Sequence, residues 1–205
     1  MRLPPSLFRA EFLLAGGLSA LLVHRAATRA ITIDEAFTWN RFVDPPFAES
    51  FASYDANNHL LFTLLARLSA ALLPDTELTF RLFALLGGIA TLFLAALLAG
   101  RLTQRPLLRL TAFALIGGHP LLLDYLCAAR GYALALAFLL AAWLLLTDSL
   151  GPAAPSPRRL AAAGVLLGLA FSANASYAIP AAALAAAWTA LRRSEEHTSE
   201  LQSLT

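Results

Sequence analysis

Apolar residues fall into seven runs along the chain, at positions 7–23, 60–73, 80–99, 107–123, 132–147, 160–171 and 178–191, with the polar side chains gathered between them. A membrane helix takes about 20 apolar residues, within a range of roughly 17 to 25. The run 80–99 meets that length outright and 107–123 just reaches it. The first run follows a basic start and contains the small residues "LSA", so it fits either a first membrane helix or a signal peptide. In both cases the chain that follows lies outside the cytoplasm. The last two runs are short and separated only by "SANASY", which predicts a tight hairpin in preference to one long broken helix. His119-Pro120 predicts a kink near the outer end of its span.

The run 60–73 is too short to span and contains Arg67. Leu61, Leu64, Leu65, Leu68 and Leu72 share one helical face, with Thr63 and Arg67 elsewhere, a pattern suited to a helix lying in the membrane interface. Charge placement supports this. If 60–73 does not cross, Arg101, Arg105, Arg109, Arg158, Arg159 and Arg192 share the cytoplasmic side with Arg2 and Arg9, as short basic loops do. Arg25, Arg29 and Arg41 stay outside in either scheme. The predicted architecture is all-α: a polytopic transmembrane helical bundle with a long first external loop, 24–79, and an interfacial helix. A second external turn is "DYLCAARGY", 124–132.

Composition agrees. Hydrophobic residues make up 59% of the chain and charged residues 14%, against roughly 25% charged in a soluble domain. All 15 basic residues are Arg, dispersed without a stripe, so nucleic acid is not an expected partner. The single Cys127 excludes an intrachain disulfide and a Cys-based zinc site. The polar stretch "RSEEHTSELQS", opening at Arg193, resembles a translated sequencing adapter, so 193–205 is expected to be non-native and 1–192 the amino-terminal part of a longer protein. Removing one Arg and three Glu with that tail leaves 14 basic and 10 acidic residues, a net +4.

Chemistry-bearing residues concentrate in the two external segments. "ITIDEAFTWN" places Asp34 beside Glu35, and "YDANNHLLF" adds Asp55, Asn57, Asn58 and His59. Asp124, Tyr125, Arg130 and Tyr132 come from the second turn. Carboxylates facing an arginine at a membrane surface suit a reaction between a water-soluble acceptor and an anionic lipid. A carboxylate serves as general base and the guanidinium fork holds phosphate. Plainer roles compete at each position. A loop Asp-Glu pair is ordinarily solvated, Asp55-Ala-Asn-Asn suits a helix cap, Arg130 suits snorkelling, and Phe37 and Trp39 suit seating the loop among headgroups. His59 with Asp55 or Glu35 has the donor types for a divalent cation, though an interfacial side chain is its more ordinary role.

Taken in order, the loop opening with Asp-Glu, "NNHLLFTLLARL", "FRLFALLGGIATLFLAALL" and "HPLLLDYLCAARGYALALAFLLAAWLLL" resemble the amino-terminal half of bacterial polytopic glycosyltransferases of the C-type fold, the protein O-mannosyltransferase and aminoarabinose transferase group. The resemblance covers roughly 7–192. It implies a bacterial inner-membrane enzyme of the cell envelope that moves a sugar from a polyprenyl-phosphate donor to a lipid, glycan or protein acceptor on the periplasmic face. It implies catalytic residues Asp34, as base, and Glu35, its neighbour. Substrate-binding candidates are Arg130, Asn58, His59, Asp55 and Tyr132; Arg130's role as phosphate holder rests on its charge and side rather than on a family motif. No organic cofactor is implied. The rival readings are a transporter, which calls for ionisable residues within the spans, and a non-catalytic envelope-assembly subunit.

Overall fold

The computed structural model describes residues 10–52, 55–150 and 156–203, with side chains described as far as Ser194. Among the described residues every regular element is helical. In chain order these are α1 (Ala10–Thr28), α2 (Ile33–Thr38) continuing into a π-helical turn (Trp39–Val43), α3 (Phe47–Ser50), α4 (Leu60–Leu72), α5 (Glu77–Leu102), α6 (Pro106–Gly117), α7 (Pro120–Cys127), α8 (Tyr132–Thr147), α9 (Pro157–Ala173), a 3-10 turn (Ala175–Tyr177) and α10 (Ala178–Ser203).

The central element is α5. Its 26 residues begin where Thr76 Oγ1 accepts the Thr79 amide at 3.1 Å and end just after Arg101 in the last turn. That assigns an N-cap and a cation to the ends that favour them. Around it pack α1, α4, α6, α7 and α8, while α9 lies on α8. One core forms from Leu22, Leu92, Phe113 and Leu126; a second, nearer the loops, from Phe62, Phe80, Ala129 and Leu134. Close approach is bought with glycine: a Cβ on Gly88 would run into the Leu126 carbonyl, and one on Gly131 into the Ala173 carbonyl.

Among the described residues two helices, α1 and α5, are each long and apolar enough to cross a membrane. The run 107–123, expected as a span kinked at His119-Pro120, is a bent pair, α6 and α7, turned by 56° at that point and together apolar enough for one broken span or a re-entrant loop. Pro120 lacks an N–H to continue the helix, and His119 before it takes an extended backbone, φ −68° and ψ 125°. The kink therefore divides the run rather than trimming its outer end. At 16 residues α8 extends about 24 Å, short of a hydrocarbon core of about 30 Å.

The hairpin after α9 is present. Ala173 abuts Gly131 at the start of α8, whereas Trp188 of α10 donates to the Leu146 carbonyl at its far end, at 3.0 Å, so the chain has reversed. Asn174 makes the turn by accepting the Ser176 amide at 2.9 Å. Across position 193 the α10 backbone continues unbroken to Ser203.

The structure changes the reading of α4. Its protein-facing side is Phe62, Thr63, Ala66 and Ser69, whereas Leu60, Leu64, Leu68 and Leu72 are exposed. Arg67 is not turned to water. Its Nη1 donates to the carbonyls of Phe42, Val43 and Pro45 at 2.7–3.0 Å, fastening the π-helical turn to α4.

The helices alternate so that Asp34 and Asp124 stand at one end, with the starts of α5 and α8, and Arg101, Arg105 and Arg158 at the other. At the far end Arg101 forks onto Asp148, and Arg109 Nε lies 2.5 Å from the buried Glu11 carboxylate. Asp148 therefore has a partner in Arg101.

Gly131→Ala should destabilise the fold by about 1–3 kcal/mol through overpacking. Gly164→Ala, where a Cβ meets nothing within 4 Å, should be neutral or stabilising by up to ~1 kcal/mol. Thermal unfolding of both variants in the same detergent checks the contrast.

Candidate functional site

The "TIDE" segment folds as a capping box. Thr32 Oγ1 accepts the Glu35 amide at 3.3 Å, and Glu35 Oε2 accepts the Thr32 amide at 2.9 Å. Starting a helix this way sends residues 34 and 35 in different directions, since neighbours on a helix lie about 100° apart. Asp34 points out, its side chain 78% exposed, and Glu35 points in, 1% exposed.

Inside, Glu35 meets α5 and the turn before α8. Oε1 accepts Arg81 Nε at 2.8 Å and the Ala129 amide at 2.7 Å, while Oε2 also accepts Arg81 Nη2 at 2.8 Å. A carboxylate offers about four lone-pair positions, and all four are taken. Burial pushes the Glu35 carboxyl up, but the Arg81 guanidinium and the Thr32 and Ala129 amides outweigh it and hold it below its ordinary 4.5. Arg81 spends its remaining N–H groups on the carbonyls of Ala26, Arg29 and Ala30, closing the C-terminus of α1. The expected pair of acids facing the same compartment is thus corrected: only Asp34 faces out, and Glu35 fixes the place from which it does so.

Opposite Asp34 stands Arg130, 5% exposed, its Nη1 3.9 Å from Asp34 Oδ2. Its hydrogen bonds are long, 3.3 Å to the Asp34 carbonyl and 3.5 Å to Asn57 Oδ1, and its buried Nε has no partner. The guanidinium lies 5.9 Å from the Tyr132 ring centroid, and the His59 ring lies 5.2 Å from the same ring. Burial and then the Arg130 charge lower His59 to about 4, against a hydrogen bond to the Ala173 carbonyl that raises it, so His59 is neutral at pH 7. Asp34, Arg130, His59 and Tyr132 therefore form one group, joined by Asn57.

Two candidates lie apart from it. Asp55 closes an Asx turn onto the Asn57 amide at 2.8 Å instead of capping α4. Asn58 bridges the Ser50 carbonyl and the Thr63 hydroxyl. Both line a separate recess. Asp124 accepts from Arg25 and Arg29 at 2.7–2.8 Å, pairing with two of the arginines expected outside and offsetting one of their two charges. Trp39 is half-buried, edge-on to Phe80, while Phe37 is exposed. Among the described residues no group of three or more His, Cys, Asp or Glu is placed to hold a metal ion.

The sequence offers no site role for Arg81 or Arg67, and Asn57 stands in it only as one amide of the "YDANNHLLF" cluster. The T-x-x-E box was the available signal for Glu35's inward turn, and a charge opening the apolar run at position 81 signalled a buried partner. Nothing local pointed to Arg67. Comparison with protein-family models, with curated proteins and with solved structures gave no match.

Arg81→Ala leaves the Glu35 charge buried without its partner and should cost about 3–5 kcal/mol in denaturant unfolding. Acid should also weaken the fold. His59 has a folded value below its ordinary 6.5, so the unfolded chain takes the proton first. Stability is full above pH 6.5 and declines as pH falls towards about 4, by at most ~3 kcal/mol. Glu35 adds a further loss below about pH 4.5. His59→Gln should flatten the slope between pH 6.5 and 4 while leaving the steeper acid limb, in unfolding curves taken across that range.

Proposed function

We propose that this chain belongs to a polytopic membrane glycosyltransferase that transfers a sugar from a polyprenyl-phosphate donor to an acceptor at the outer face of a bacterial inner membrane. The observation that carries the proposal is the outward Asp34 carboxylate standing 3.9 Å from a buried Arg130 guanidinium whose Nε is unpartnered. A base open to solvent beside an unsatisfied anion-binding fork suits nucleophilic attack on a phosphate-activated centre. The membrane setting is supported by the outward leucines of α4, by Leu13, Leu86, Leu97 and Leu115 exposed on other helices, and by the arginines at the end remote from Asp34.

In this mechanism the acceptor hydroxyl or amine gives its proton to Asp34 as its oxygen or nitrogen bonds to the anomeric carbon. The anomeric C–O bond to phosphate breaks with its electron pair leaving on the lipid phosphate, which Arg130 holds. Phosphate is already a stable leaving group, so one base suffices. Glu35 acts as a positioning residue, its lone pairs being committed. Transport is less well supported, because the ionisable residues of α1 and α5 lie near helix ends and, apart from His24, are tied in ion pairs.

The test is transfer from a polyprenyl-phosphate sugar by the full-length protein at matched membrane abundance. Asp34→Asn should lower the rate by about 10²- to 10⁴-fold. Arg130→Lys, which keeps charge but loses the fork, should raise the donor KM with a smaller effect on kcat. Near wild-type turnover in Asp34→Asn would remove the mechanism. Labelling of single cysteines from outside intact cells, on a Cys127→Ala background, checks the orientation: Asp34→Cys should react and Arg105→Cys should not.

A further inference from the structure

A recess of about 220 Å³ opens beside the site, between the 55–58 turn and the C-terminal end of α9. Phe51, Leu60 and Phe171 supply its apolar walls, and Asp55, Asn58 and Ser172 its polar ones. The polar groups have capacity to spare. Asp55 uses Oδ1 on the Asn57 amide, leaving Oδ2. Asn58 donates one N–H to the Ser50 carbonyl and accepts one bond from Thr63, leaving an N–H and a lone pair. Ser172 donates to the Gly168 carbonyl and keeps its lone pairs. The two segments that wall the recess also carry buried polar atoms without partners, His59 Nε2 and Asn174 Nδ2, in residues 4% and 2% exposed.

Charge decides which ligand fits. Among the described residues Asp55 is the only ionisable side chain lining the recess, so an anion is disfavoured there. Arg130 sits across the same turn, contacting Asn57 from the other side. Anion binding and this recess are therefore neighbouring but separate compartments. Acceptor groups lining the same recess as phenyl rings match a ring that presents hydroxyls at its edge and C–H bonds on its face, since aromatic faces are electron-rich.

We propose that this recess binds a neutral polyhydroxylated ring, a sugar unit of the acceptor. The word acceptor rests on the transferase reading above; the binding of a sugar ring does not. The turn that forms the recess also receives Arg130, which lies 3.9 Å from Asp34, so a bound ring lies beside the group that holds the base and outside it.

The experiment is saturation-transfer difference NMR with methyl α-D-glucopyranoside and the unsubstituted protein in nanodiscs, which avoids sugar-headed detergents. No lipid-linked donor is present, so the result is independent of the transfer assay. The glycoside should receive saturation, and neither ethanolamine nor inorganic phosphate should compete with it. Asp55→Asn keeps an oxygen for the Asx turn but loses the charge, and should weaken binding by about 10-fold or more. Ser172→Ala, which leaves the turn untouched, should weaken it less. Absence of transfer to the glycoside, displacement by phosphate or ethanolamine, or binding unaffected by both substitutions would overturn the proposal. Glycoside binding alongside inactive transfer would leave the recess standing and remove only the transferase reading.

Discussion

The buried pair of Glu35 and Arg81 is the constraint on which the loop end depends. It joins α2 to α5, and through Arg81's other N–H groups to the end of α1 and through Ala129 to the start of α8. Such a pair is a poor source of stability, because desolvating two charges cancels much of their attraction. Its effect here is specification. The carboxylate is fully used only when Thr32, Arg81 and Ala129 are all in place, so partial assembly leaves a buried charge unsatisfied. Asp34 inherits its position from this arrangement without entering it.

The remaining charges follow a similar logic. Asp124 takes both Arg25 and Arg29, Asp148 takes Arg101, and Glu11 takes Arg109. Among the described residues Arg67 meets no acid, and it instead gathers carbonyls that a π-helical turn would leave open. Arg130 departs from this pattern, with long contacts, a buried, unpartnered Nε and the Tyr132 ring 5.9 Å from its guanidinium. An arginine so placed beside an outward carboxylate distinguishes a binding fork from a structural staple.

Helices and their limits were largely legible in the sequence because apolar run length and Pro120 act locally. The all-helical fold, the 132–147 helix and the closing hairpin follow from that. The division of 107–123 was legible only as a kink, since whether proline bends or breaks a helix depends on what packs beside it. At the site, the neighbouring Asp and Glu read as a matched pair, although the T-x-x-E box already implied that the second turns back on the helix start. The Ala129 amide, 94 residues from Glu35, leaves no local trace, because any buried backbone donor would serve. Arg67 illustrates the same limit: its helical face was correct, but the carbonyls it gathers lie 22–25 residues away in an irregular turn.

Amide hydrogen exchange tests the central claim that Glu35 ties these distant segments into one unit. Replacing Glu35 by Ala removes the acceptor for both the Thr32 and Ala129 amides. The account predicts that exchange at both rises together, by about 10-fold or more, while α6 beside the Glu11–Arg109 pair is unchanged. An Ala129 amide that exchanges at the wild-type rate in Glu35→Ala would contradict it.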